Sequence, residues 1–215
     1  MSERIELSGL RDPDPETQGR SALAIYESPR PEEILRDAAA AAAVRTSVAE
    51  GNRSAAAILL LGYDPSPRSA ELLKDIRQTY AGKRAKLKPW SPAVPLPLVV
   101  DVALSRLGDA GARRSLLEGI EEASVEVLAF LLGVLREVDD PAVLHALSKA
   151  LDDERPVAGG VPSGAEPARR LADVAVNAFI ERLGLAVRFT RDPARRYARQ
   201  DIEDVKRLLK GSLPQ

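Results

Sequence analysis

The sequence predicts an all-α fold, and three observations carry that prediction. Apolar residues recur at 3.6-residue spacing in segments of about three to five turns. Those segments are divided by helix-start and helix-stop residues: Asp, Ser or Pro ahead of them and Gly behind. Aromatic residues make up only 4% of the 215 residues, so the core is mainly aliphatic. Such a core suits closely packed helices better than a β-sandwich.

Residues 1–30 contain Pro13, Pro15 and Pro29 and no sustained period, and are read as an irregular or disordered lead-in. Within them, 21–26 suits weak docking on the first helix. Pro31 then occupies a first helical position, and Glu32 and Glu33 follow at the positive end of the helix dipole. This first helix runs through the alanines 38–43 to about Ala49, before Gly51. Asn52 caps a second helix, 54–61, which stops at Gly62. Ser66 and Pro67 open a third, with Leu72, Leu73, Ile76 and Tyr80 on one stripe. A proline-broken insertion, 83–97, precedes a fourth helix over 98–107 that ends at Gly108.

The fifth helix spans about 112–123, with Leu116, Leu117 and Ile120 facing inward. Ser124 caps the sixth, in which Leu128, Leu131, Leu132, Leu135 and Val138 give the clearest helical stripe of the chain. Asp140 and Pro141 start the seventh, which carries Leu144, Leu147 and Leu151. A second insertion, 153–164, is rich in Gly and Pro. Ser163 and Glu166 have the spacing of a capping box for an eighth helix, with Leu171, Val174, Ala175, Ala178, Phe179 and Leu183 inward and Gly184 at its end. Leu185, Val187 and Phe189 alternate as in a short extended piece. After Asp192 and Pro193, one last amphipathic helix carries Ile202, Val205, Leu208 and Leu209.

Lys plus Arg total 31 against 32 for Asp plus Glu, a formal net charge of −1. A dedicated nucleic-acid binder is usually clearly basic. The absence of cysteine excludes disulfides, thiolate metal sites and a cysteine nucleophile. The N-terminus carries charges and prolines where a signal peptide needs an apolar run, and no apolar stretch has membrane-spanning length. The expected location is cytoplasmic, with no membrane partner.

Four helix ends resemble one another: AAAILLLGYD (55–64), DVALSRLGD (101–109), GVLREVDDP (133–141) and NAFIERLGL (177–185). Their spacings straddle the ~40–47-residue period of a helix-pair repeat. The strings ALSRLGD (103–109) and RRLADVAVNAFIERLG (169–184) resemble second helices of HEAT-type repeats, and DPAVLHALSKALDD (140–153) resembles a first helix with its acidic turn. The resemblance covers roughly 31–184 and departs from the pattern at the two insertions and in the third unit, which lacks the Leu-Gly ending. It implies a short α-solenoid of about four helix pairs over 31–184, with 185–215 as a C-terminal capping segment. It also implies that Asp152 or Asp153 meets Arg169 or Arg170. A closed helical bundle is the alternative architecture.

Both insertions fall between the first and second helix of their pair, where a solenoid displays a ridge suited to binding. The first carries Lys83, Arg84, Lys86 and Lys88, with no acidic residue among them, and then Trp90, the only tryptophan. Taken alone, this is a solvated loop whose Trp90 covers the helix ends. It is also the segment best suited to gripping an acidic protein or a phosphate backbone. A second basic cluster, Arg188, Arg191, Arg195, Arg196 and Arg199 with Tyr197, reads first as a solvated face, with Arg195 and Arg196 as further contact candidates.

His145, the only histidine, has no second histidine or cysteine to share a transition metal, and reads as a surface residue. Glu118, Glu121, Glu122 and Glu126 read as a solvated acidic edge. Gly159, Gly160 and Gly164 before a helix lack the Lys and Ser/Thr of a nucleotide loop. The sequon at Asn52 is read as a helix cap.

These readings predict a non-catalytic protein–protein interaction module that uses no cofactor: an adaptor, assembly factor or inhibitor. Two alternatives come from other classes. One is a nucleic-acid-binding HEAT-like protein with DNA glycosylase resemblance; the other is a helical-repeat subunit like those of phycobilin lyases.

Overall fold

The computed structural model of the chain describes residues 7–88, 91–157 and 169–212. Eleven α-helices and one two-stranded pairing lie among the described residues. The contacts divide the chain into two compact units, residues 1–115 and 116–215.

The first unit is built round a short, wholly apolar helix. The segment α4 (Ala55–Leu61) has every residue buried. Ser54 caps it, its hydroxyl accepting from the Ala57 N–H at 3.3 Å. The Asn52 side chain supports that cap instead of forming it, since its Oδ1 accepts from both the N–H and the hydroxyl of Ser54. Helices α1 (Pro15–Tyr26), α3 (Ala38–Ala49), α5 (Pro67–Thr79) and α6 (Leu96–Arg106) all pack on α4. A helix with this many neighbours must be apolar all round, as the run AAAILLL is.

Three expectations for this unit need correction. The lead-in is not irregular where it is described, because α1 occupies Pro15–Tyr26 and buries Ala22, Ile25 and Tyr26. Its start is legible in retrospect: Asp14 accepts from the N–H groups of Glu16 and Thr17, and Pro15 stands at the first helical position. The helix expected from Pro31 to Ala49 is two helices, α2 (Pro31–Leu35) and α3, because Asp37 caps α3 through the N–H groups of Ala39 and Ala40. The insertion 83–97 also contains two short strands, β1 (Arg84–Ala85) and β2 (Val94–Pro95), paired antiparallel with Arg84 opposite Pro95.

Gly62 and Gly184 both end helices, for different reasons. Gly184 adopts the left-handed conformation, with φ of 59°, and closes α10 as a C-cap. Gly62 keeps ordinary helical φ and ψ. A Cβ built on it would lie 3.1 Å from both Cα and O of Ala103. Here glycine permits the close approach of α4 and α6.

Helix α7 (Ala110–Glu121) contains the boundary between the units. In the second unit, α8 (Val125–Gly133) follows the Ser124 cap and tightens into a 3-10 turn at Leu135–Glu137. Asp140 caps α9 (Pro141–Ser148), which also ends in a 3-10 turn, Lys149–Asp152. The longest buried element is α10 (Leu171–Leu183), packed against α8, both 3-10 turns and α11 (Arg199–Ser212). The expected capping box at Ser163 and Glu166 lies outside the described residues. Helix α10 begins later than expected, at Leu171, with Arg170 as its N-cap and Asp173 as the acidic partner. Residues 185–189 form no strand. The amphipathic reading of α11 holds, with Ile202, Val205 and Leu209 buried.

No described helix is long and apolar enough to cross a membrane.

Candidate interaction surfaces

The basic insertion is a braced hairpin. The Leu96 N–H donates to the Lys83 carbonyl at 2.8 Å, and the Ala55 N–H donates to the Lys86 carbonyl at 3.4 Å. These two bonds tie the hairpin to the starts of α6 and α4. Beyond the strands, the Ser91 N–H and hydroxyl donate to the Lys88 carbonyl at 3.0 and 2.9 Å, and the Lys88 N–H returns a bond to the same hydroxyl. Val94 and Ala85 point inward and are buried. The alternation sends Arg84 and Lys86 outward, and Lys83, just ahead of the strand, is exposed as well.

The four cations of this segment differ in their commitments. Lys88 forms an ion pair with Glu27 at the end of α1, and the Arg84 guanidinium donates to the Ala93 carbonyl across the hairpin. Both fix the loop. Lys83 and Lys86 are exposed at its base, and Lys86 too has a partner within the chain. Beside them the Arg53 guanidinium lies 4.7 Å from the centre of the Tyr80 ring, and the Lys83 N–H donates to the Tyr80 carbonyl. No Asp or Glu occurs between Asp75 and Asp101, and Glu27 beside Lys88 comes from the end of α1. Trp90 lies outside the described residues.

Arg195 and Arg196 belong to the second unit, and the hairpin to the first. Arg195 is held within its own unit: it pairs with Asp201 at 2.8 Å and lies 5.2 and 5.6 Å from the ring centres of Tyr197 and Phe189. Arg196 stands 3.9 Å from Glu154. His145 is exposed on α9.

The buried polar groups are the features that sequence reading missed. In the second unit, Asp173 has 0% of its surface exposed, Arg170 9% and Tyr197 2%. The Arg170 guanidinium donates to both carboxylate oxygens of Asp173, to Glu154 and to the Tyr197 carbonyl. The N–H groups of Arg170 and Tyr197 also donate to the Asp173 carboxylate. Burial pushes the Asp173 carboxyl up, but these bonds and the guanidinium charge outweigh it and hold the group below the usual carboxylate range.

The ion pairs implied by the HEAT resemblance are therefore replaced by others. Arg170 meets Glu154 and Asp173, Asp153 pairs with Arg155, and Asp152 pairs with Lys206. The reason is local. Arg170 stands at the N-cap of α10, where the N3 carboxylate of Asp173 lies nearest, and the Asp153 carboxylate accepts from the N–H of Arg155 two residues on.

The first unit buries two acids in the same manner. Asp64 accepts from Arg45, from the Ser69 hydroxyl at 2.6 Å and from the Ser66 N–H. Burial raises its pKa, and those bonds more than reverse the effect. Asp101 lies 2.7 Å from Arg77 Nε, and burial leaves its pKa raised. Both carboxylates join helices within the unit. A polar chain through Asn52, Ser47 and Gln18 links α3 to α1.

Comparison with protein-family models, with curated proteins and with solved structures finds no match for this chain.

Proposed function

We propose that this protein is a non-catalytic interaction module whose first unit holds an acidic segment of a partner protein against the 83–88 hairpin. The observation that carries the reading is a basic hairpin braced at both ends by backbone hydrogen bonds, with Lys83, Arg84 and Lys86 exposed and no acidic residue from 76 to 100. Bracing lowers the ordering cost of binding, and like charge fixes the sign of the partner. The buried carboxylates support the reading in a different way. Asp64, Asp101 and Asp173 each face an arginine of their own unit, an arrangement suited to holding helices together.

For the architecture, we favour the closed helical cluster within the first unit over the open stack of pairs implied by the HEAT resemblance. The supporting observation is α4, buried on every face by α1, α3, α5 and α6. A helix inside an open stack keeps one face toward solvent.

The test is affinity capture from native lysate with the wild-type chain and with Lys83→Glu plus Lys86→Glu. The expected result is a captured protein with an acidic segment, lost in the variant while its thermal unfolding is unchanged. Undiminished capture by the variant removes the hairpin from the account. Capture of nucleic acid instead, falling steeply with salt, establishes the phosphate-backbone alternative.

A further inference from the structure

The second unit contains a cleft of about 420 Å³ between the end of α8, the outer row of α10 and the segment around Pro193. Its floor is aliphatic, formed by Leu132, Leu135, Val174 and Ala178. Around the mouth stand Arg136, Arg182 and Arg191, with Glu181 the only acidic lining residue. The carboxylates that pair with Arg136 and Arg182 belong to Glu137 and Asp139, which do not line the cleft. Arg191 pairs with Glu181 at 2.5 Å, and both side chains are well exposed. Exposed pairs of this kind contribute little to stability, so an incoming carboxylate exchanges readily onto the guanidinium.

One wall is held by buried polar groups. The Asn177 amide donates to the Asp192 carbonyl at 3.3 Å, and the Tyr197 hydroxyl donates to Asn177 Oδ1 at 2.9 Å. The same hydroxyl accepts from the Asp192 N–H at 2.9 Å, and Arg169 donates to the Pro193 carbonyl. Buried polar networks cost more than apolar packing of similar volume and fix a single geometry in return. Here the geometry they fix is that of the irregular segment carrying Arg191 and Pro193. A preformed apolar floor with a few oriented polar groups is the ordinary design of a binding site.

We infer that this cleft is a docking site for a short segment of a partner protein that sets an aliphatic side chain on Ala178 and Val174. Flanking carboxylates of the segment are received by Arg191 and Arg182. The site belongs to the second unit and does not depend on the hairpin.

The experiment selects displayed random short peptides on the full chain and measures the enriched peptides by fluorescence anisotropy. Enriched sequences join aliphatic residues to Asp or Glu. Their affinity falls by about tenfold or more in Arg191→Glu and in Ala178→Trp, and is unchanged in Lys83→Glu plus Lys86→Glu. The exposed Arg191 position keeps the test valid if Ala178→Trp disturbs packing, which circular dichroism reports. Absence of enrichment, or loss of affinity only in the hairpin variant, overturns the inference. So does saturable binding of dodecanoate, abolished by Arg191→Glu, when no peptide is enriched.

Discussion

Arg170 and Asp173 face each other inside the second unit, with Nη2 of the guanidinium 2.8 Å from one carboxylate oxygen and Nε 3.1 Å from the other. The pair stands at the first turn of α10 and receives the chain again at Tyr197. Removing one partner strands the other as a buried charge. Asp173→Ala is therefore expected to cost about 3–5 kcal/mol, whereas Arg170→Met combined with Asp173→Leu costs much less than the two single changes together. Urea unfolding of the three variants measures the coupling, and additive costs would contradict a shared buried pair.

Acid is expected to weaken the protein. Asp64 and Asp173 have folded pKa values below the unfolded value of about 3.9. Their contribution is complete above that unfolded value and is lost as pH falls toward the depressed folded values. Asp101 works in the opposite sense, because its raised folded pKa favours proton uptake by the native state. Unfolding free energy measured from pH 7 to about pH 3 should decline at the acid end. Asp173→Asn, less stable at neutral pH, should decline less steeply.

Glycine substitutions should separate two roles. Gly62→Ala pushes a methyl group against the Ala103 backbone and is expected to destabilise by about 1–3 kcal/mol. Gly119→Ala, inside α7 with nothing within 4 Å of the new Cβ, should stabilise by about 0.5–1 kcal/mol. Thermal melts compare the two, and equal shifts would contradict the close approach of α4 and α6.

Tyr197→Phe deletes a hydroxyl that bridges Asn177 and Asp192. The change leaves buried polar partners unsatisfied, at about 1–3 kcal/mol. Hydrogen exchange should accelerate at the Asp192 amide, which loses its acceptor. Unaltered protection there would show that the segment is held by other contacts.

Much of the fold was legible because helix boundaries are written in local chemistry. Ser124, Asp140 with Pro141, and Gly184 each act at the helix end expected of them. The stripe of α11 was equally plain, since one face is apolar and the rest is charged. Asp37 is masked in the sequence because the alanines after it continue the helical pattern, although an aspartate before such a run is a strong cap. Helix α1 is hidden by three prolines that read as irregular chain, while Pro15 in fact starts it. The burial of Tyr197 against Asp173 carries no local signal. Arg170 lies only three residues from Asp173, but Tyr197 reaches Asp173 and Asn177 across 24 and 20 residues, and only the packed chain brings it to them. The basic character of 83–88 was evident, but the bracing that turns it into a fixed surface depends on Ala55 and Leu96.

Carbodiimide crosslinking of the captured complex, which joins lysine amines directly to carboxylates, addresses the binding account most directly. Crosslinks are expected from Lys83 and Lys86 to Asp or Glu residues of the partner, and they are lost when those two lysines are changed to glutamate. Crosslinks confined to Lys149, Lys206 and Lys210, with Lys83 and Lys86 unreacted, would contradict it.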